Sequence, residues 1–258
     1  MDLYRMNILI CGHGFVGKAH GLFLSSNHNV SVYDPMLGYK QVTPFATADA
    51  VIISVATPEA DDGSCFMNNV YDCIEKVPDN VPILIKSTVS LEGWRLINRA
   101  YSDKQITFSP EYLRAAYAMD DFRNQSEIQL GGGDTNFWCE LLSNSLGIRI
   151  VVEDPELLIL TKYFRNTFLA TKVAFFNQMY DMALAADVNP GQLLGMVSDD
   201  PRIGDSHTYV NPEDRGFGGH CFPKDTLALL SSGHELGCDL SILSEAMHYN
   251  ERIRNEQN

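Results

Sequence analysis

The sequence predicts an α/β protein: a Rossmann-type parallel sheet domain over residues 1–152, followed by an all-helical domain over 153–258 that contains one long helix. Three observations carry this. Short apolar runs recur at 6–12, 50–55, 82–86, 106–108, 128–130 and 148–152, and 29–34 alternates, with polar or helical stretches between them; that is the pattern of parallel strands joined by crossovers. A glycine-rich turn, Gly12-His13-Gly14-Phe15-Val16-Gly17, stands between the first strand and a helix. From Glu156 to Ala186 apolar residues fall at helical spacing for about 30 positions without Pro or Gly.

The elements follow in order. The run MNILICG is continuously apolar and stops at glycine, as a strand buried on both faces does. A helix is expected over 13–27, and the second strand, NVSVYD, ends on the acidic Asp34. Helices are expected again at 91–101 and 137–146, the long helix at 156–186, polar turns over 198–219, and two shorter helices at 225–236 and 241–255. Two domains of this kind predict a ligand cleft at their junction.

Composition narrows the function classes. In 258 residues, 33 Asp+Glu stand against 19 Lys+Arg for a net charge of −14. Nucleic-acid and anionic-membrane binding need clustered cations, so neither is expected. No apolar run approaches the ~20 residues of a membrane span, and the start lacks a basic, then apolar, leader; the expectation is a cytoplasmic protein. Six cysteines (11, 65, 73, 139, 221, 238) without a C-x-x-C pair read as free thiols, with no metal site.

Two loops carry chemistry. In the first, Gly12, Gly14 and Gly17, with Phe15 and Val16 between them, fit G-x-G-x-x-G. The glycines permit the turn, the approach of a pyrophosphate and close helix packing, while helix amides take the negative charge. Asp34, about 20 residues on, is placed to accept from ribose hydroxyls. It would repel a 2′-phosphate, and Pro35 and Met36 offer no cation to hold one, so NAD is expected rather than NADP. A glycine turn that only packs a βα corner is the alternative. In the second loop, Gly216-Phe217-Gly218-Gly219-His220-Cys221-Phe222-Pro223-Lys224-Asp225, a cysteine follows three glycines at the mouth of a helix. Helix amides and a cation, Lys224 or protonated His220, favour the nucleophilic thiolate there; Asp225 opposes this unless it caps the helix or acts as a base. On the long helix, Lys162 and Asn166 are spaced i, i+4 and share a face. They form either a solvated polar patch or a pair that enters the cleft and stabilises an oxyanion.

Together with VATP at 55–58, KSTVS at 86–90, SPEYLR at 109–114, KYFRN at 162–166 and DPRIG at 200–204, these loops resemble the UDP-glucose/GDP-mannose dehydrogenase family, in family order over nearly the whole chain. The resemblance implies oxidation of a sugar C6 alcohol to a carboxylate with two NAD per product. It implies Cys221 as the nucleophile that forms a thiohemiacetal and then a thioester, and Lys162 and Asn166 as oxyanion partners. Asp225 and Thr88 resemble the pair that holds a water and moves the hydroxyl proton, and Glu111 the carboxylate that assists hydrolysis. Thr57, Thr88 and Lys224 are expected beside NAD, and Arg202, Phe217 and Gly218 beside a nucleotide-sugar substrate, a UDP-sugar being favoured. Arg202 implies a homodimer built on the long helix.

Departures from the family pattern are equally specific. Relatives continue past the segment resembling 240–257 into a third, nucleotide-gripping domain, whereas this chain is expected to lack it. The stretch between Asp34 and Ala50 is short, so a helix of the NAD domain is expected to be reduced or missing. Ala115 replaces a frequent second glutamate, and His220 a small hydroxyl residue. Two other functions therefore remain beside the dehydrogenase: a non-catalytic NAD-binding dimer that lost the third domain or receives it from a partner, and a simpler β-hydroxyacid-type dehydrogenase, against which the cysteine loop speaks.

Overall fold

A computed structural model describes residues 5–60, 63–219 and 221–256. The chain divides into two compact units, Met1–Pro58 with Cys65–Lys162, and Glu59–Ser64 with Tyr163–Asn258.

The first unit is built on a seven-stranded sheet. Its strands are β1 (Asn7–Cys11), β2 (Asn29–Tyr33), β3 (Ala50–Ile53), β4 (Ile83–Ile85), β5 (Ile106–Phe108), β6 (Glu127–Gly132) and β7 (Arg149–Val152), in the order β2-β1-β3-β4-β5-β6-β7. Crossing from β2 back over β1 to β3 reverses the winding at β1, where such sheets hold ligands at their carboxyl ends. All neighbours are parallel except β5 and β6, which run antiparallel through Thr107↔Gly132 and Phe108↔Gly131. The expected parallel sheet is therefore mostly parallel, with one antiparallel junction. The run at 106–108 is too short to reveal direction, which is set by the chain between the strands.

Strands β1, β3 and β4 are central, and Ile8, Ile10, Ala50, Ile52 and Leu84 pack in one core with Trp138, Leu141 and Leu142. Those three come from α6 (Thr135–Leu146), reached after α1 (Phe15–Leu24), α2 (Thr43–Thr47), α3 (Asn68–Lys76), α4 (Leu91–Ala100) and α5 (Ala118–Asn124). Helix α4 starts where Ser90 Oγ accepts the Gly93 N–H at 3.0 Å. Helix α6 stops at Gly147 in the left-handed region, φ 64°. Between Asp34 and Ala50 only a single 3₁₀ turn, Pro35–Leu37, and the five-residue α2 form, the reduced helix expected from the short sequence there.

Helix α7 (Pro155–Ala185) is continuous for 31 residues. Asp154 Oδ1 caps it, accepting from the Glu156 and Leu157 amides at 2.8 and 3.2 Å, with Pro155 at the first position where no donor is lost. The second unit continues with α8 (Pro190–Ser198), α9 (Phe222–Glu235) and α10 (Ser241–Asn255). Helix α8, four residues past α7, was not read from the sequence: its Gly191 and Gly195 break the helical signal, and Asn189 capping Gln192 at 2.9 Å with Pro190 behind it supplies the start. Ala170 and Ala174 of α7, Phe217 and Met247 form the core of this unit.

Candidate active site

The glycine turn sits at the carboxyl end of β1. Gly12 has φ +91°, and a Cβ there would lie 2.6 Å from the Ser54 carbonyl oxygen; a Cβ on Gly17 would be driven into the Gly12 carbonyl. At both positions the backbone itself excludes a side chain. At Gly14 nothing lies within 4 Å of a Cβ, so that side of the turn is open. Gly14 is the first residue of the α1 cap, yet no side chain caps this helix and its first turn has no acidic residue. Its leading amides therefore point at open space, the arrangement a pyrophosphate fits. Asp34 lies at the end of β2, with Oδ2 accepting the His13 N–H at 2.8 Å and Oδ1 the Leu37 N–H at 3.3 Å. Each oxygen keeps a lone pair for a ribose hydroxyl. The chain's own residues thus fit a bound dinucleotide, with Phe15 and Val16 in the first turn of α1 and Thr57 buried in the loop after β3.

The loop after β4 contributes two groups. Thr88 Oγ1 accepts from Lys162 Nζ at 2.6 Å. Lys162 is buried despite its charge, so it is no solvated patch. Two residues before Thr88, Lys86 Nζ stands 3.2 Å from Glu111 Oε2 and donates to Ser109 Oγ at 2.9 Å and the Pro110 carbonyl at 3.2 Å. Burial raises the Glu111 carboxyl, but Lys86, His20 and the Tyr112 N–H outweigh it, and the group is held below the usual carboxylate range. His20 on α1 is pushed down to about 4, by burial first and by Lys86 second.

In the second unit Cys221 is the N-cap residue of α9 and is exposed, whereas Cys11, Cys65 and Cys73 are buried. The Cys11 thiol is raised by a hydrogen bond to Cys73 and by burial, the opposite of an activated nucleophile. One turn beyond Cys221, Asp225 is 1% exposed; its Oδ2 accepts from Asn166 Nδ2 at 2.6 Å and its Oδ1 from Lys224 Nζ at 2.7 Å. Thus Asn166, Lys224 and Asp225 form one network within the second unit, and Lys162 donates to Thr88 within the first. His220 lies outside the described residues. Arg202 sits in the turn before the loop, its guanidinium paired with Asp200 and its side chain 87% exposed.

The structure also shows supports that sequence reasoning missed. Phe217 N–H donates to Asn250 Oδ1 at 2.6 Å and the Phe217 carbonyl accepts from Asn250 Nδ2 at 3.0 Å, so α10 holds the loop with both ends of one amide. Asn177 Oδ1 accepts from Gly216 N–H at 3.1 Å and from Arg215 Nε at 3.2 Å. Arg254 packs against Gly218 and donates to the Arg215 carbonyl at 3.2 Å. A lone Asn on a helix carries no signal in sequence; only its partners give it a role. Lys86 lay within the KSTVS run, but its burial was not readable there.

A doubly wound sheet with a glycine turn open to a phosphate defines the first unit as a dinucleotide-binding domain of the dehydrogenase type. Residues 38–143 match the NAD binding domain of the UDP-glucose/GDP-mannose dehydrogenase family, and residues 159–252 its central domain. The UDP-glucose 6-dehydrogenases of Rickettsia felis and Rickettsia typhi are 31% and 30% identical, covering 91% and 95% of this chain. A solved UDP-glucose dehydrogenase from Pyrobaculum islandicum superposes with a TM-score of 0.84 at 28% identity, over 97% of this chain and 69% of that one. The chain belongs to the UDP-glucose/GDP-mannose dehydrogenase family, and its cofactor is NAD. It spans 63% of the length of the Rickettsia felis relative and 67% of that from Rickettsia typhi.

Proposed function

We propose that this protein oxidises the C6 alcohol of a nucleotide sugar, a UDP-sugar by preference, to the uronic acid. The observation that carries the reading is the group around α9: an exposed cysteine at the helix start, with a buried aspartate one turn on that binds both a lysine and an asparagine. The names of the relatives support the substrate class.

NAD, held by the glycine turn and Asp34, would supply the hydride acceptor for two successive oxidations. By the family resemblance, Asp225 and Thr88 are assigned to removal of the alcohol proton, giving the aldehyde. Cys221 thiolate adds to the aldehyde carbon, and loss of the second hydride converts the thiohemiacetal into a thioester. Lys162 and Asn166 supply a cation and an amide donor for the oxyanions. Water then adds to the thioester carbon with Glu111 as acceptor, the C–S bond breaks, and the acid leaves. One alcohol and one water yield one carboxylate, two NADH and three protons.

Thr57, Thr88 and Lys224 are assigned to the cofactor side, and Arg202, Phe217 and Gly218 to the substrate. A homodimer through α7 is part of the reading: Phe164, Phe168, Phe175 and Met182 are all exposed and recur at spacings of four and seven, a seam that a second helix covers. Residues 1–152 and 153–258 are taken as the functional domains, and the cytoplasm as the location. Among the described residues no helix is long and apolar enough to cross a membrane.

The test is turnover. Purified protein with NAD and a panel of UDP- and GDP-sugars is expected to form two NADH per acid. Cys221→Ser is expected to keep NAD affinity and lose acid formation. Acid made by that variant at the wild-type rate removes Cys221 from the mechanism, and no turnover with any nucleotide sugar favours an NAD-binding module without catalysis.

A further inference from the structure

Glu111 is an unusual choice for a group that must deal with water, because its carboxylate is almost sealed. Its side chain is 8% exposed and that of Lys86 only 3%. Oε1 is occupied by the backbone of its own loop, accepting from the Tyr112 and Leu113 amides at 2.9 and 3.3 Å. Oε2 stands 3.2 Å from the Lys86 ammonium and has no hydrogen-bond partner among the described residues. The ammonium is itself anchored by Ser109 Oγ and the Pro110 carbonyl, so it cannot swing away.

We propose that Lys86 is a positioning residue for thioester hydrolysis, fixing the place and the charge of Glu111 so that Oε2 accepts a hydrogen from the attacking water. The proposal rests on the function given above. The groups that face Glu111 are Lys86 from the end of β4, His20 from α1, and the two amides of its own loop. His20, pushed down to about 4, is neutral at neutral pH, so Lys86 is the cation that keeps the carboxylate ionised. A buried ion pair adds little stability over an apolar pair of similar volume, whereas removal of one partner strands the other charge. The pair is therefore better explained by a charge that must be kept than by stability. In the step itself, the water oxygen bonds to the thioester carbon, the C–S bond breaks, Cys221 leaves as thiolate, and both water protons pass to solvent. Glu111 orients the water and, held below the usual carboxylate range, does not store a proton.

The experiment uses the whole chain with NAD and UDP-glucose. Lys86→Met is expected to release two NADH per protein in a first burst and then to turn over at least tenfold more slowly, with little change in KM. Mass spectrometry is expected to find the sugar acyl group retained on Cys221, and the residual acid release to shift to higher pH. The double variant Lys86→Met/Glu111→Gln leaves no charge stranded; it is expected to melt like wild type and still retain the acyl group, which separates chemistry from folding. Wild-type turnover and pH profile in Lys86→Met overturn the proposal, as does a burst and a steady state that fall together in both variants. If the wild type itself makes no acid, the function above fails first, and ¹³C titration of the Glu111 carboxyl decides whether Lys86 controls it. A rise of one pH unit or more in Lys86→Met supports that control, and an unmoved titration removes it.

Discussion

Two glycine-rich loops lead into helices in this molecule, and they are held in different ways. The turn at 12–17 is locked by backbone: Gly12 N–H donates to the Tyr33 carbonyl at 2.9 Å, and the Ser54 N–H reaches the Cys11 carbonyl at 2.7 Å, so three parallel strands fix it. Among the described residues no strand lies beside the loop that begins at Gly216. Asn177 and Asn250, from two helices, and the guanidinium of Arg254 do the same work with side chains. A loop locked by backbone announces itself in consecutive residues, whereas one locked by distant side chains does not.

The largest effect that sharpens this contrast is Gly17→Ala. The added Cβ meets a carbonyl that cannot move, so NAD binding is expected to vanish and stability to fall by more than about 4 kcal/mol; calorimetric titration and melting measure both. Asn250→Ala comes next. It strands the buried amide and carbonyl of Phe217 at roughly 1–3 kcal/mol each, with a drop in melting temperature on the order of 10 °C, while NAD affinity in the other unit stays within about twofold. An NAD affinity that falls in parallel with stability breaks the contrast.

A third effect concerns the helix that follows the first loop. His20 Nδ1 lies 3.0 Å from the Val16 carbonyl, and the ring is pushed from 6.5 down to about 4. Between those values the unfolded chain binds a proton that the folded one refuses. Stability is then complete above pH 6.5 and falls toward pH 4 by about 3 kcal/mol. Denaturant melts across this range are expected to show that loss in wild type and a flatter limb in His20→Gln. The smallest effect on the fold is that of Gly14→Ala, whose Cβ has open space and whose φ of −71° suits any residue. Stability is expected to change by less than about 1 kcal/mol while NAD binding weakens at least tenfold, because the methyl group stands where the pyrophosphate approaches.

Much of this was legible beforehand. All seven strands are legible as short apolar or alternating runs, and the long helix because no Pro or Gly follows Pro155 within it. The reversed direction of β6 and β7 and the helix α8 are not, the first because the three-residue run of β5 carries no mark of which way its neighbour runs, the second because glycines at 191 and 195 mask its period. Among the site residues, Cys221 and Asp34 could be picked out from their neighbours in sequence. The pairing of Lys162 with Thr88, 74 positions apart, and of Asn166 with Asp225, 59 apart, could not.

The sequence by itself determined the sheet, the phosphate turn, the preference for NAD and the presence of a cysteine at a helix start, because each depends on residues adjacent in the chain or on a repeating pattern of apolar side chains. Tertiary structure alone decided which charges meet. It buried Lys86 against Glu111, set Lys162 on Thr88, and gave Asp225 two donors, because burial and partnership of a charge depend on what other segments bring to it, and that is written nowhere in its own neighbourhood.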